Sequence, residues 1–306
     1  MKTLVPILFV VFTWWFSTGV VLWLATRTGG NRQYRLMAML AIGGLGLIGI
    51  WASAYPALFP SVPAWSLPYL GFSAALAVWA PIEFTFLTGI LTGPRLLRCP
   101  PGSTEVERFG YAFKALSHHE YALAGALGLI AVITLPNGSF AAFAVFLLLW
   151  LMRLSAKFTL FSGAPKFAQE MMPQQIAHLQ SYIRHDRIGP FFWIAMPILT
   201  LTFIAAVFSI AMGSVTPEFR TLSIMLTTLV GLGALEHWFM ILPVTDSALW
   251  RWALPGTQKQ TARAVGSRPR ATITTQRRPN HSNQQTRLRV APGYQRAQQP
   301  RRGAAT

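Results

Sequence analysis

Seven apolar stretches, each long enough to cross a bilayer, constrain this chain more than any other feature. They cover 4–25, 36–55, 67–91, 111–135, 140–161, 191–212 and 221–242. A helix needs about 20 apolar residues to span a hydrocarbon core of roughly 30 Å. Every such span must be helical, because lipid offers no partner to an open backbone group. Breakers separate them, among them Gly93-Pro94, Pro136-Asn137-Gly138, Gly163-Ala164-Pro165 and Gly189-Pro190. Charge supports the same class: only 11% of residues are charged, against about 25% in an average soluble domain. A disulfide scaffold is excluded by the single cysteine, Cys99. The fold class is therefore all-α, a polytopic seven-helix transmembrane bundle. The first stretch, whose apolar run exceeds that of a signal peptide, reads as a retained span.

Basic residues give an orientation. The first connection carries Arg27, Arg32 and Arg35, the third Arg95, Arg98 and Arg108, and the fifth Lys166, Arg184 and Arg187. The second and fourth carry none, and the sixth only Arg220. This alternation places the N-terminus outside and the C-terminus in the cytoplasm. Trp250 and Trp252, just past the last span, read as interfacial anchors. Two units follow: a membrane domain, 1–254, and a basic tail, 255–306, whose Gln/Arg/Thr/Pro-rich composition predicts disorder. The tail's charge obeys the positive-inside rule. It also suits anionic lipid head groups, and nucleic acid less well.

Charged groups at membrane depth cost about 2.5–3.5 kcal/mol each on insertion scales and need a reason to be there. Glu83 falls in the third span, His118, His119 and Glu120 in the fourth, Arg153 and Lys157 in the fifth, and Glu236 and His237 in the seventh. With the assigned orientation all eight lie in the cytoplasmic half, which predicts one polar cluster. Arg153 and Lys157, spaced i,i+4, share a helix face, repel each other, and require acidic partners. Three readings of the cluster stay open. The carboxylates Glu83, Glu120 and Glu236 with His118, His119 and His237 form the ligand inventory of a di-metal site, although no Glu-x-x-His motif occurs. One histidine could instead ligate the magnesium of a bacteriochlorophyll. Or the residues form an ion-pair network holding the helices in register. Gly43-Gly44-Leu45-Gly46 reads as close helix packing. His178 and His185 read as surface histidines. No nucleotide fingerprint and no internal repeat is present.

Several motifs occur together in one order. They are Trp14-Trp15-Phe16-Ser17-Thr18-Gly19, Leu87-Thr88-Gly89 with Gly93-Pro94-Arg95, Cys99-Pro100-Pro101-Gly102, His118-His119-Glu120, Arg153-Leu154-Ser155-Ala156-Lys157, and Glu236-His237-Trp238-Phe239 with Leu249-Trp250-Arg251-Trp252. The series resembles the PuhE family of purple phototrophic bacteria, over residues 4 to 254. The resemblance implies a multi-pass protein of the bacterial inner membrane, N-terminus periplasmic. Its implied role is the assembly of the photosynthetic reaction centre and core antenna, with those subunits or pigment-synthesis enzymes as partners and bacteriochlorophyll as a molecule it handles. The alternative is a membrane-embedded di-iron enzyme of bacteriochlorophyll synthesis. The resemblance brings no established catalytic residues.

Overall fold

A computed structural model describes residues 3–27, 30–166, 172–213, 216–242, 249–250 and 252–254. The basic tail lies outside the described residues. Seven helices are long and apolar enough to cross a membrane: α1 (Leu4–Thr26), α2 (Arg32–Ala54), α3 (Leu67–Leu87), α4 (Glu105–Thr134), α5 (Ala141–Ser162), α6 (Pro190–Met212) and α7 (Pro217–Phe239). No strand occurs among the described residues. The chain is a multi-pass membrane protein of the expected all-α class.

Several boundaries shift for a local reason. α2 begins at Arg32 rather than 36 because the Asn31 side chain accepts the Gln33 N–H at 2.8 Å. α4 begins at Glu105 rather than 111, on a capping box. Thr104 Oγ1 accepts the Glu107 N–H while Glu107 Oε2 accepts the Thr104 N–H at 2.9 Å. Its 30 residues extend about 45 Å, longer than the hydrocarbon core. α3 stops at Leu87, short of 91, where Gly89 turns left-handed (φ 73°) and the Ile90 and Leu91 N–H groups both return to the Thr85 carbonyl.

α3 is the central helix and packs against α1, α2, α4, α5 and α7. Its small residues make that possible. A Cβ on Gly71 would stand 2.9 Å from the Ala141 Cβ of α5. The main core joins Val10, Ile50, Phe72, Leu123, Phe146 and Met225, from six of the helices. α6 lies outside it and packs mainly on α5 and α7 through Phe192, Met196 and Leu199.

The connections bearing basic residues meet at one end. Arg32 Nη2 donates to the Thr88 carbonyl at 3.0 Å, capping α3. The 3₁₀ segment Gln174–Tyr182 closes under α3 and α4. Tyr182 is fully buried, donates to the Leu97 carbonyl at 2.6 Å and accepts from Arg95 Nε at 3.0 Å. His178 and His185 are half-buried in this floor rather than exposed. Burial lowers the pKa of His178 below the usual imidazole value.

Trp250 is not an interfacial anchor. It is buried and packs on the middle of α1, its ring 5.5 Å edge-on from Trp14. Trp15 Nε1 donates to the Leu249 carbonyl at 2.9 Å, and Trp250 Nε1 donates to the Trp15 carbonyl at 3.1 Å. Trp252, still partly exposed, lies against Gly19, where any Cβ would collide with its ring. The chain therefore returns to the depth of mid-α1 after α7. Irregular backbone is tolerated at that depth only against protein or a cavity, and here it has both.

Candidate functional site

α3, α4 and α5 bring four of the charged residues into two ion pairs. Glu83 faces Arg153: its Oε1 stands 3.2 Å from Arg153 Nε, and its Oε2 accepts from Nη2 at 3.2 Å. Only the Nη2 contact is a hydrogen bond; the approach of Nε to Oε1 adds charge attraction alone. One turn further along α5, Lys157 Nζ donates to Glu120 Oε1 at 2.5 Å. Glu120 Oε2 accepts from Trp150 Nε1 at 2.9 Å. Glu120 and Lys157 are buried, so each neutralises a charge that water cannot reach.

His119 is fully buried between the pairs. Phe86 lies over its ring at 4.4 Å between centroids. Glu83 Oε1 stands 3.7 Å from Nε2, outside hydrogen-bond range, and neither ring nitrogen has a hydrogen-bond partner. The His119 main chain is held by an unusual contact: its N–H donates to the Thr92 carbonyl at 2.9 Å. The adjacent Gly93 presses onto the Lys114 and Ala115 carbonyls of α4, where a Cβ has no room. The turn after α3 thus wedges into α4 beside the cluster.

α7 joins through a different bridge. His237 Nδ1 faces the Gly233 carbonyl at 2.7 Å, so Nδ1 carries the proton, and Nε2 is left to accept from Ser155 Oγ at 2.9 Å. Glu236 lines a cavity with Glu83, Arg153 and Lys157. His118 points outward and is exposed, away from the other seven. Lys114, also inside the fourth apolar stretch, is exposed as well. Trp150 and Ser155 belong to the network and were not singled out from the sequence. A tryptophan N–H and a serine hydroxyl in a span carry no signal until their partners are known.

Residues 1–261 match the family described as "Protein of unknown function (DUF3623)". The chain belongs to the DUF3623 family. It is 35% identical over 250 residues to a Rhodobacter capsulatus protein described as "Uncharacterized 30.4 kDa protein in puhA 5'region", covering 81% of this chain and 89% of the relative. That relative comes from a purple phototrophic bacterium and is encoded in its photosynthesis gene region. No solved structure matches the chain.

The donor set of this DUF3623 protein does not fit a di-metal centre. Among the described residues no three His, Cys, Asp or Glu side chains converge, and Arg153 occupies the Glu83 carboxylate. Two of the three histidines are poorly placed to ligate a bacteriochlorophyll magnesium in the cavity. His119 does not line the cavity, and both His237 nitrogens are engaged. The arrangement fits the third reading, an ionic network tying α3, α4 and α5, with His237 tying in α7.

Proposed function

We propose that this protein is an integral membrane factor for assembly of the photosynthetic reaction centre and core antenna, of the kind the PuhE resemblance implies, and not a metal-dependent enzyme. The observation that carries the reading is the relative in the puhA 5' region, which matches over nearly its whole length. The bundle supports this reading, since Glu83 pairs with Arg153 and Glu120 with Lys157, tying α3, α4 and α5 together. In this reading the protein sits in the bacterial inner membrane, N-terminus periplasmic, and acts through reaction-centre and antenna subunits or pigment-synthesis enzymes. Deleting the gene in its phototrophic host tests it. Near-infrared absorbance of reaction centre and core antenna should fall and return on complementation. Wild-type absorbance in the deletion strain would overturn the proposal. In the complemented strain Glu83→Gln should lower absorbance together with the protein's own abundance, because the network holds the fold.

A further inference from the structure

The outer surface of α4 differs from those of α1 and α6. Theirs present large apolar side chains to lipid, such as Leu8, Phe12 and Phe16 on α1 and Ile194, Ile198 and Leu201 on α6. α4 buries Leu116, His119, Leu123 and Ile130 against the bundle. Its other face carries Gly110, Lys114, His118, Tyr121, Gly125 and Gly128, each exposed. Spacings of three and four residues make these one continuous stripe. Lys114 and His118 are the only exposed Lys, Arg, His, Asp or Glu among the described residues of the seven apolar stretches. Neither side chain has a hydrogen bond or ion pair among the described residues.

Depth separates the two. Lys114 lies about 5 Å inside the stretch that opens at 111, and its long stem can carry the ammonium back to the head groups. His118 lies about 10 Å inside, and its ring is too short to reach them. An ionisable group at that depth almost always faces protein or a water-filled path, so this face calls for protein to cover it. The donors say which kind. An ammonium and an imidazole N–H one turn apart both seek an oxygen, and a carboxylate also meets the charge of Lys114. A second copy of this chain brings none. About a two-fold axis along the membrane normal, α4 against α4 sets Lys114 beside Lys114 and His118 beside His118. Glu107, the acid on the same stripe, is two turns from Lys114 and held by the Thr104 cap. Farther along, a Cβ on Gly125 or Gly128 would meet nothing within 4 Å, so a helix backbone can approach closely there.

We propose that this face docks a transmembrane helix of another protein, which sets a carboxylate against Lys114 and His118 and packs closely over Gly125 and Gly128. The inference is independent of the assembly role proposed above, and its test does not use the deletion strain. The purified full chain in nanodiscs is titrated with dansyl-labelled, leucine-rich synthetic helices of about 22 residues. One carries a single Glu at the depth of His118, and the other carries Leu there. Energy transfer from the protein's tryptophans to dansyl reports binding. The Glu helix should bind saturably and about tenfold more tightly than the Leu helix, the scale of an interhelical polar contact. Lys114→Leu combined with His118→Leu should abolish that preference without lowering the unfolding temperature, because neither side chain packs on the bundle. Gly128→Leu should weaken binding of both helices. Equal affinity for the two helices, a preference that survives in the double variant, or a lowered unfolding temperature in that variant would each overturn the proposal. So would a stable homodimer that Gly128→Leu dissociates, since a second copy would then occupy the face.

Discussion

Arg153 and Lys157 are one turn apart on α5, yet each is neutralised by a carboxylate from a different neighbouring helix. Like charges on one face would otherwise repel, so the two pairs are what allow α3, α4 and α5 to pack. Glu120→Gln strands the Lys157 ammonium in a buried site and should cost about 3–5 kcal/mol, as breaking one side of a buried pair does. Replacing both partners, Glu120→Gln with Lys157→Met, removes the stranded charge and should recover most of that loss. Thermal unfolding in detergent of the two single variants and the double variant checks this; additive losses would show that the pair is not coupled. The need for partners was legible in the sequence, because a charge at membrane depth is costly wherever it falls. The choice of partners was not. Neighbouring residues on a helix differ by about 100°, but that spacing does not say which carboxylate faces which cation.

Glycine-bearing faces set how closely the elements approach. On α2, a Cβ at Gly46 would stand 2.9 Å from the Ala74 carbonyl of α3, and one at Gly43 would stand 2.9 Å from Pro81 Cγ. Gly44, between them in sequence, faces open space. Gly46→Leu must therefore force α2 away from α3, whereas Gly44→Leu adds an apolar side chain toward lipid. The expected outcome is a strongly lowered unfolding temperature for Gly46→Leu and a near-wild-type value for Gly44→Leu. Equal values for both would show that the contact does not hold the helices together. The glycine run could be read as close packing from its composition alone, and the Thr104-x-x-Glu107 signature could have set the start of α4. The return of Trp250 to the middle of α1 was not legible. Periodicity and hydropathy report where a helix runs, but not where a short segment beyond a helix breaker folds back.

At the scale of the whole molecule, the +17 formal charge resolves into separate parts. Residues 251–306 hold twelve basic and no acidic side chains, leaving 14 basic and nine acidic in residues 1–250. Most of those 14 sit in the first, third and fifth connections. The structure gathers these connections at one end: Arg32 reaches the turn after α3, and the Cys99 N–H donates to Ser181 Oγ across the third and fifth connections at 2.8 Å. A single basic face of this kind is retained on the cytoplasmic side during insertion. The orientation is testable with reporters fused at two places. Alkaline phosphatase inserted in the connection at 136–139 should be active, and a fluorescent protein at the C-terminus should fold and emit. Activity in the reverse arrangement would invert the assignment. It would also move Glu83, Glu120, Arg153 and Lys157 from the cytoplasmic leaflet to the outer one. With the expected orientation, the floor formed by Gln174–Tyr182 faces the cytoplasm, and the ionic network lies just above it.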